Sequence, residues 1–226
     1  MVATSGAARS GRTWTLAPLI ASCEATGSST GSVSLEAVEV PEENRVGHEG
    51  EGFRIAMSAL DQGRYTVAAG ATGLIRASLE ASVKYANDRK AFGREIGKFQ
   101  LVQQKIAYMV QNYEAARLLY LRAGWMKNMG MRNTRETSLA KWFATDASFQ
   151  AASEAIQVHG AYGYSDEYDV ERYLRTSTGA VIYEGTSEVH QLMQAGYALG
   201  YREDGDLRME LPAYDAEFWQ AEAQPA

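Results

Sequence analysis

The chain has 226 residues, 46% hydrophobic and 22% charged, a composition that suits a folded globular protein rather than a disordered one. Its 22 Lys+Arg against 28 Asp+Glu leave a net charge of −6, the wrong sign for a surface that gathers phosphate backbones, so nucleic acid is not expected as a partner. One cysteine, Cys23, excludes a disulfide framework, and the three histidines, His48, His159 and His190, stand in no metal-ligand spacing, so no metal is expected.

Residues 1–32 are rich in Ser, Thr, Gly and Ala without a sustained period and read as an irregular segment. Within it, Arg9 and Arg12 precede a short apolar run ending Leu19-Ile20-Ala21-Ser22-Cys23, the pattern of a bacterial lipoprotein cleavage box. Thr15 and Pro18 interrupt that run, and no apolar stretch of the chain approaches the ~20 residues of a membrane span, so a cytoplasmic location is expected. From Ser32 to Val40, the β-branched run of Val33, Val38 and Val40 with Leu35 predicts one strand stopped by Pro41, for which the chain offers scarcely any partner strand.

After the glycine-rich turn of Gly47, Gly50 and Gly52 the period becomes helical. Phe53, Met57, Leu60, Val67, Ala71, Leu74, Ala81 and Tyr85 approximate one face of a long helix ending near Arg89. A second helix carries Ile106, Met109, Val110, Tyr113, Ala116 and Tyr120 and fades at Gly130, where Asn133, Thr134 and Glu136 signal a new start. A third runs through Leu139, Trp142, Phe143, Phe149 and Ile156 to Gly160, and a fourth follows Gly185 with Thr186 as N-cap and Val189, Leu192, Met193 and Gly196 inward. Four amphipathic helices with no strand between them predict a mainly α protein, an antiparallel four-helix bundle over residues 47–200, preceded by a short β remnant and followed by an acidic tail over 201–226.

Chemistry is best placed at Tyr183-Glu184-Gly185-Thr186, where a carboxylate precedes a glycine and the unpaired N–H groups of a helix start. Apolar neighbours would raise its pKa toward the range of a general base, yet from spacing alone a surface glutamate before an ordinary capped helix is the simpler reading. Arg89, Lys90 and Arg94 around Phe92 and Gly93 either complement the dipole of the long helix or suit a dinucleotide pyrophosphate. Gly63 inside that helix costs about 1 kcal/mol against alanine, which asks for a close approach by a ligand or a helix. No Gly-x-Ser-x-Gly elbow, P-loop or strand-borne Gly-x-Gly-x-x-Gly is present, so hydrolase and Rossmann readings fall away.

Taken in chain order, these segments resemble the acyl-CoA dehydrogenase family. Val40 to Gly47 with Gly50-Glu51-Gly52-Phe53 is similar to the family's passage from its β domain into its helical domain. Leu60-Asp61-Gln62-Gly63-Arg64, Ala68-Ala69-Gly70, the run from Tyr85 to Gly93 and Phe99-Gln100 resemble its long helix and flavin-contacting turn. The run from Gln157 to Tyr164, Glu171-Arg172 and Tyr183-Glu184-Gly185-Thr186 resemble its closing signatures, and the similarity covers about residues 33–200.

The resemblance implies FAD-dependent α,β-dehydrogenation of an acyl-CoA thioester, in which a base takes the α proton while the β hydrogen leaves as hydride to flavin N5. By the same carry-over the base is Glu184, with its backbone N–H helping to polarise the thioester carbonyl. One branch of the family holds its base on the long helix just before the arginine; that position is Gly63 here. Arg89, Phe92, Gln100, Gln157, Gly160 and Ala161 would meet the FAD of a neighbouring subunit, Ala161 standing where the family usually has a second glycine. Thr186 and Glu188 would lie along the flavin, and Asp61, Arg64, Tyr183 and Gly185 along the substrate. A homo-oligomer, dimer or tetramer, and an electron-transfer flavoprotein as acceptor are implied as well. Residues 33–46 then read as a remnant of the family's middle β domain and 47–200 as its flavin-binding and catalytic domain.

Family members also carry an N-terminal helical domain and a full β barrel, which supply part of the flavin and acyl sites. Here Gly11 to Leu16 is faintly similar to one earlier strand. The expectation is a truncated or split enzyme; the alternative from another class is a non-catalytic helical remnant or oligomerisation module, and a flavin oxidase of the same fold is a third.

Overall fold

The computed structural model describes residues 16–18, 31–33, 38 and 41–203. The lipoprotein-like run to Cys23, most of the 1–32 segment and the tail beyond Glu203 lie outside the described residues. By contact density the chain divides into residues 1–49 and 50–226. In the first unit, β1 (Leu16–Pro18) pairs antiparallel with β2 (Gly31–Val33), Leu16 opposite Val33. Of the strand expected over residues 32–40, Ser32 and Val33 lie in β2, Val38 is in no strand, and Leu35 and Val40 lie outside the described residues; β2 does have a partner, contributed from the segment read as irregular. A 3-10 turn, Glu42–Asn44, follows Pro41.

The second unit holds six α-helices among the described residues: α1 (Gly52–Asp88), α2 (Gln100–Asn128), α3 (Thr134–His159), α4 (Ala161–Tyr164), α5 (Val170–Ala180) and α6 (Ser187–Ala198). The mainly helical bundle expected from the period is what the chain forms. Three features depart from the four uninterrupted helices of that expectation, the single-turn α4 being one of them. A hairpin of β3 (Lys90–Ala91) and β4 (Arg94–Glu95) separates α1 from α2. Helix α5 was not among the expected elements: it is only 11 residues long, and its apolar face is the short set Val170, Tyr173 and Leu174, of which Val170 is fully buried and Tyr173 packs against the core.

α1 spans 37 residues, about 55 Å of rod. Its buried seam is Arg64, Ala68, Ala71, Ile75, Ser78, Ser82 and Tyr85, a strict alternation of four- and three-residue steps. That seam is rotated from the expected face: Phe53 is 78% exposed, and of the residues expected inward Ala71 and Tyr85 are buried. The physical reason lies in α3, which is buried along most of its circumference by small residues, among them Ser138, Ala140, Ala144, Thr145, Ser148, Ala151 and Ala155. Two helices whose seams are Ala, Ser and Thr approach closely, so bulky side chains are displaced to the flanks.

Direction follows from contacts at the ends. The Thr134 hydroxyl at the start of α3 donates to Asp61 near the start of α1, and His159 at the end of α3 stacks on Tyr85 at the end of α1, centroids 4.3 Å apart, so α1 and α3 run parallel. α2 runs against both, with Lys127 near its end donating to Gln62 and Lys105 near its start paired with Glu154. α5 packs on α3 and α1, and α6 on α3. The loop between α5 and α6 is thereby laid over the first halves of α1 and α3.

Candidate functional site

That loop carries Glu184, and its backbone is unusual. Glu184 has φ +56° and Gly185 φ +99°, two consecutive left-handed residues. A non-glycine residue at positive φ stores on the order of 1 kcal/mol and persists only where its surroundings over-determine it. The turn folds the glutamate side chain back onto α1. A Cβ on Gly63 would stand 2.6 Å from the Glu184 carboxyl carbon and 2.6 and 2.7 Å from its oxygens, so the carboxylate occupies the space that glycine leaves. The unexplained glycine in the long helix therefore has its close approach, from a carboxylate rather than a helix. Glu184 Oε2 is buried and has no hydrogen-bond partner.

Charged and polar groups form the floor beneath the loop. Arg64 is 5% exposed; its Nε donates to the Glu184 carbonyl oxygen at 3.2 Å and its Nη1 to Asp61 Oδ1 at 3.0 Å. The Thr134 hydroxyl donates to the other Asp61 oxygen at 3.2 Å, completing the chain Thr134–Asp61–Arg64–Glu184. Lys141 of α3 is fully buried and its Nζ donates to the Gly185 carbonyl oxygen at 2.7 Å. Burial lowers the Lys141 ammonium to about 8, a shift that Asp146 opposes, Arg64 reinforces and Glu184 opposes.

His190 of α6, also fully buried, has Nδ1 2.9 Å from the Ser138 hydroxyl, and its Nε2 faces the Glu184 and Gly185 backbone without a hydrogen bond of good geometry. Burial, with the charges of Lys141 and Arg64, depresses its pKa to about 4, so the imidazole is neutral at physiological pH. The unfolded chain takes up that proton near pH 6.5 while the fold resists it down to about 4. Stability is accordingly complete above pH 6.5 and falls as the pH drops toward 4, by up to about 3 kcal/mol. Denaturant melts of the natural chain and of His190→Gln across this window are expected to converge as pH falls; parallel curves would exclude His190 as the cause.

Around the loop, Tyr183 is half-exposed, and its phenol is pushed up by burial of part of the ring. Tyr183 borders a groove of about 310 Å³ with Val67, Gly70, Leu74 and Thr176. Thr186 is the N-cap of α6, as expected, but its hydroxyl bonds the Glu188 carboxylate, which it lowers, rather than a backbone N–H. The Ser187 hydroxyl donates to Asp146 of α3 at 2.7 Å and fixes the start of α6.

The residues expected at the far end of the cofactor form a second group. Arg89 is the C-cap of α1 and lies over the Tyr162 ring at 6.0 Å, next to Gly160 and Ala161. The cations expected at the C-terminal end of the long helix lie just beyond it: Lys90 and Arg94 are on the hairpin, whose turn is Phe92 and Gly93 with φ +52° and +79°. Phe92 is 95% exposed and meets Phe99 edge to face, Arg94 covers the Phe99 ring at 4.3 Å, and Gln100 follows as the first residue of α2. Gln157 is in the last turn of α3, before Gly160. The structure thus brings Asp61, Arg64, Tyr183, Glu184, Gly185, Thr186 and Glu188 to one end and Arg89, Phe92, Gln100, Gln157, Gly160 and Ala161 to the other.

Sequence reasoning missed Lys141, His190 and Ser138. The available signal was Lys141 itself, a long cation inside an otherwise small-residue stripe of Ser138, Thr145 and Ser148. Among the described residues no cluster of His, Cys, Asp or Glu could hold a metal, and no helix is long and apolar enough to cross a membrane.

A helical bundle whose loop lays a carboxylate on a helix glycine defines a class, and comparison with known proteins names it. The family model for the acyl-CoA dehydrogenase C-terminal domain matches residues 50–199, so the chain belongs to the acyl-CoA dehydrogenase family. An acyl-CoA dehydrogenase of Bacillus subtilis is 45% identical over 174 residues, 77% of this chain and 46% of that protein. The caffeyl-CoA reductase-Etf complex subunit CarC of Acetobacterium woodii is 40% identical over 76% of this chain and 46% of its own. The solved butyryl-CoA dehydrogenase of Megasphaera elsdenii superposes with a TM-score of 0.73 at 42% identity, covering 76% of this chain and 45% of that one. The chain therefore spans about half the length of the curated relatives it matches. The family's members are FAD-dependent flavoproteins.

Proposed function

We propose that this chain supplies the base of an FAD-dependent acyl-CoA dehydrogenase, with Glu184 removing the α proton of an acyl-CoA thioester. The observation that carries this reading is the buried, unpartnered Glu184 Oε2, held against Gly63 by a left-handed turn. A buried carboxylate oxygen with no donor is costly as structure alone and is ready to accept a proton. Gly185 and Thr186, at the start of α6, leave room and N–H groups for a polarised carbonyl. The Tyr183 groove, lined by Val67 and Leu74, suits the apolar part of an acyl chain. When bound, FAD supplies the hydride acceptor.

The residues fit such a cofactor in two separate places. Thr186 and Glu188 stand beside Glu184, where the flavin would meet the substrate. Phe92, exposed on a strained turn, with Arg89, Gln100, Gln157, Gly160 and Ala161 offers an aromatic face, donors and a cation to the dinucleotide's other end. Gly63 and Arg89 are 26 residues apart along one helix, about 40 Å, beyond the reach of a single dinucleotide. Each cofactor would therefore join two copies of the chain, which makes a homo-oligomer, dimer or larger, part of the reading. An electron-transfer flavoprotein as acceptor is supported by a relative named for an Etf complex. Residues 33–46 are read as belonging to the family's middle β domain and 47–200 as the catalytic domain, acting in the cytoplasm. The alternative reading is a non-catalytic helical module.

The deciding measurement is the absorption spectrum of the full chain with FAD, before and after anaerobic addition of straight, branched and aryl acyl-CoA esters. Bound flavin that bleaches with one ester is expected and identifies the substrate class. Bound flavin that no ester bleaches would refute the dehydrogenase, and a chain that binds no FAD would support the helical module.

A further inference from the structure

Lys141 is the feature of this site that neither the resemblance nor the base assignment uses. A buried ammonium in a seam of Ser, Thr and Ala is expensive and persists only against a specific partner. Its partner is a backbone oxygen: Nζ donates to the Gly185 carbonyl at 2.7 Å, while Arg64 Nε donates to the Glu184 carbonyl at 3.2 Å. Two successive peptide planes are thus tied from below by two cations on two different helices. The torsions of Gly185 lie between those planes, so fixing both fixes the turn. Trans peptides point N–H opposite to C=O, so drawing the two oxygens into the floor turns the Gly185 and Thr186 N–H groups away from it.

We propose that Lys141 is a positioning residue for Glu184: by holding the Gly185 carbonyl it keeps the left-handed Glu184–Gly185 turn in the form that lays the carboxylate against Gly63. The catalytic half of this proposal rests on Glu184 being the base; the conformational half does not. Burial lowers the lysine toward about 8, which agrees with a group kept for its hydrogen bond at a cost in solvation. Arg64 by itself leaves the second plane free, since its described donations go to the Glu184 oxygen and to Asp61.

The test compares Lys141→Met, similar in length and without a donor, with the natural chain by two readouts. In the flavin-free full chain, backbone ¹⁵N order parameters at Glu184, Gly185 and Thr186 are expected to fall from about 0.85 to below about 0.6, with α3 unchanged. In the assembly that binds flavin and thioester, α-proton exchange with solvent is expected to slow about ten- to hundred-fold while thioester affinity holds, the effect of losing one charged hydrogen bond. A loop that stays rigid in Lys141→Met overturns the proposal, as does a mobile loop with unaltered exchange. Should that variant not fold, Lys141→Gln, polar but too short to reach the carbonyl, is judged on the same readouts. Failure of the base assignment shows separately, as unaltered exchange in Glu184→Gln.

Discussion

Glu184→Gln is expected to slow exchange of the thioester α proton with solvent by about 10²- to 10⁴-fold, the range that a positioned general base contributes. The substitution is isosteric and removes one capacity, that of accepting a proton. Oε2 makes no hydrogen bond in the fold, so no structural partner is lost with it, and the Arg64 and Lys141 contacts go to the loop's backbone rather than to the carboxylate. Thioester affinity and melting temperature should therefore stay near those of the natural chain. Exchange followed by NMR in deuterated water, in the flavin-loaded assembly, checks this, and a glutamine variant that exchanges at the natural rate would remove Glu184 from the reaction.

Gly63→Ala acts on the same carboxylate from the opposite side. The new methyl would overlap three atoms of the Glu184 carboxyl group at 2.6–2.7 Å. Those atoms end a flexible side chain, so the carboxylate swings away and the helix stays in place. Displacing a base by about 1 Å costs on the order of 100-fold in rate. Alanine in place of glycine within a helix also stabilises by about 0.5–1 kcal/mol. The expected signature is a chain that melts slightly higher and exchanges the α proton far more slowly. A higher melting temperature with exchange at the natural rate would mean that the carboxylate does not rest on Gly63.

Most of the architecture was legible because its elements are long and their ends chemically marked. Gly130 and Gly160 follow α2 and α3, and Thr186 precedes α6, each within a residue or two of the expected boundary. What escaped did so for definite physical reasons. A hairpin with two-residue strands has no period to read, and α5 is so short that its apolar face is only Val170, Tyr173 and Leu174. The seam of α1 was assigned to its large apolar residues, whereas close packing against α3 selects the small ones. At the site, Tyr183-Glu184-Gly185-Thr186 carried the signal in four adjacent residues. Ser138, Lys141 and His190 did not, since polar side chains on a helix are read as its outer face, and here they form the layer on which the loop rests.

The parallel seam of α1 and α3 works as a ruler. Gly63 and Arg64 are graduations on one rod, Lys141 is a graduation on the other, and the loop reads both at once. Slipping one rod by a single residue moves its mark by about 1.5 Å, enough to separate a donor from its carbonyl. Small side chains far along the seam, such as Ser78, Ser82 and Ala151, therefore calibrate an alignment that is used at the other end. Bulk added there in the course of sequence drift would be felt as a misaligned base, which gives positions remote from any chemistry a reason to remain small.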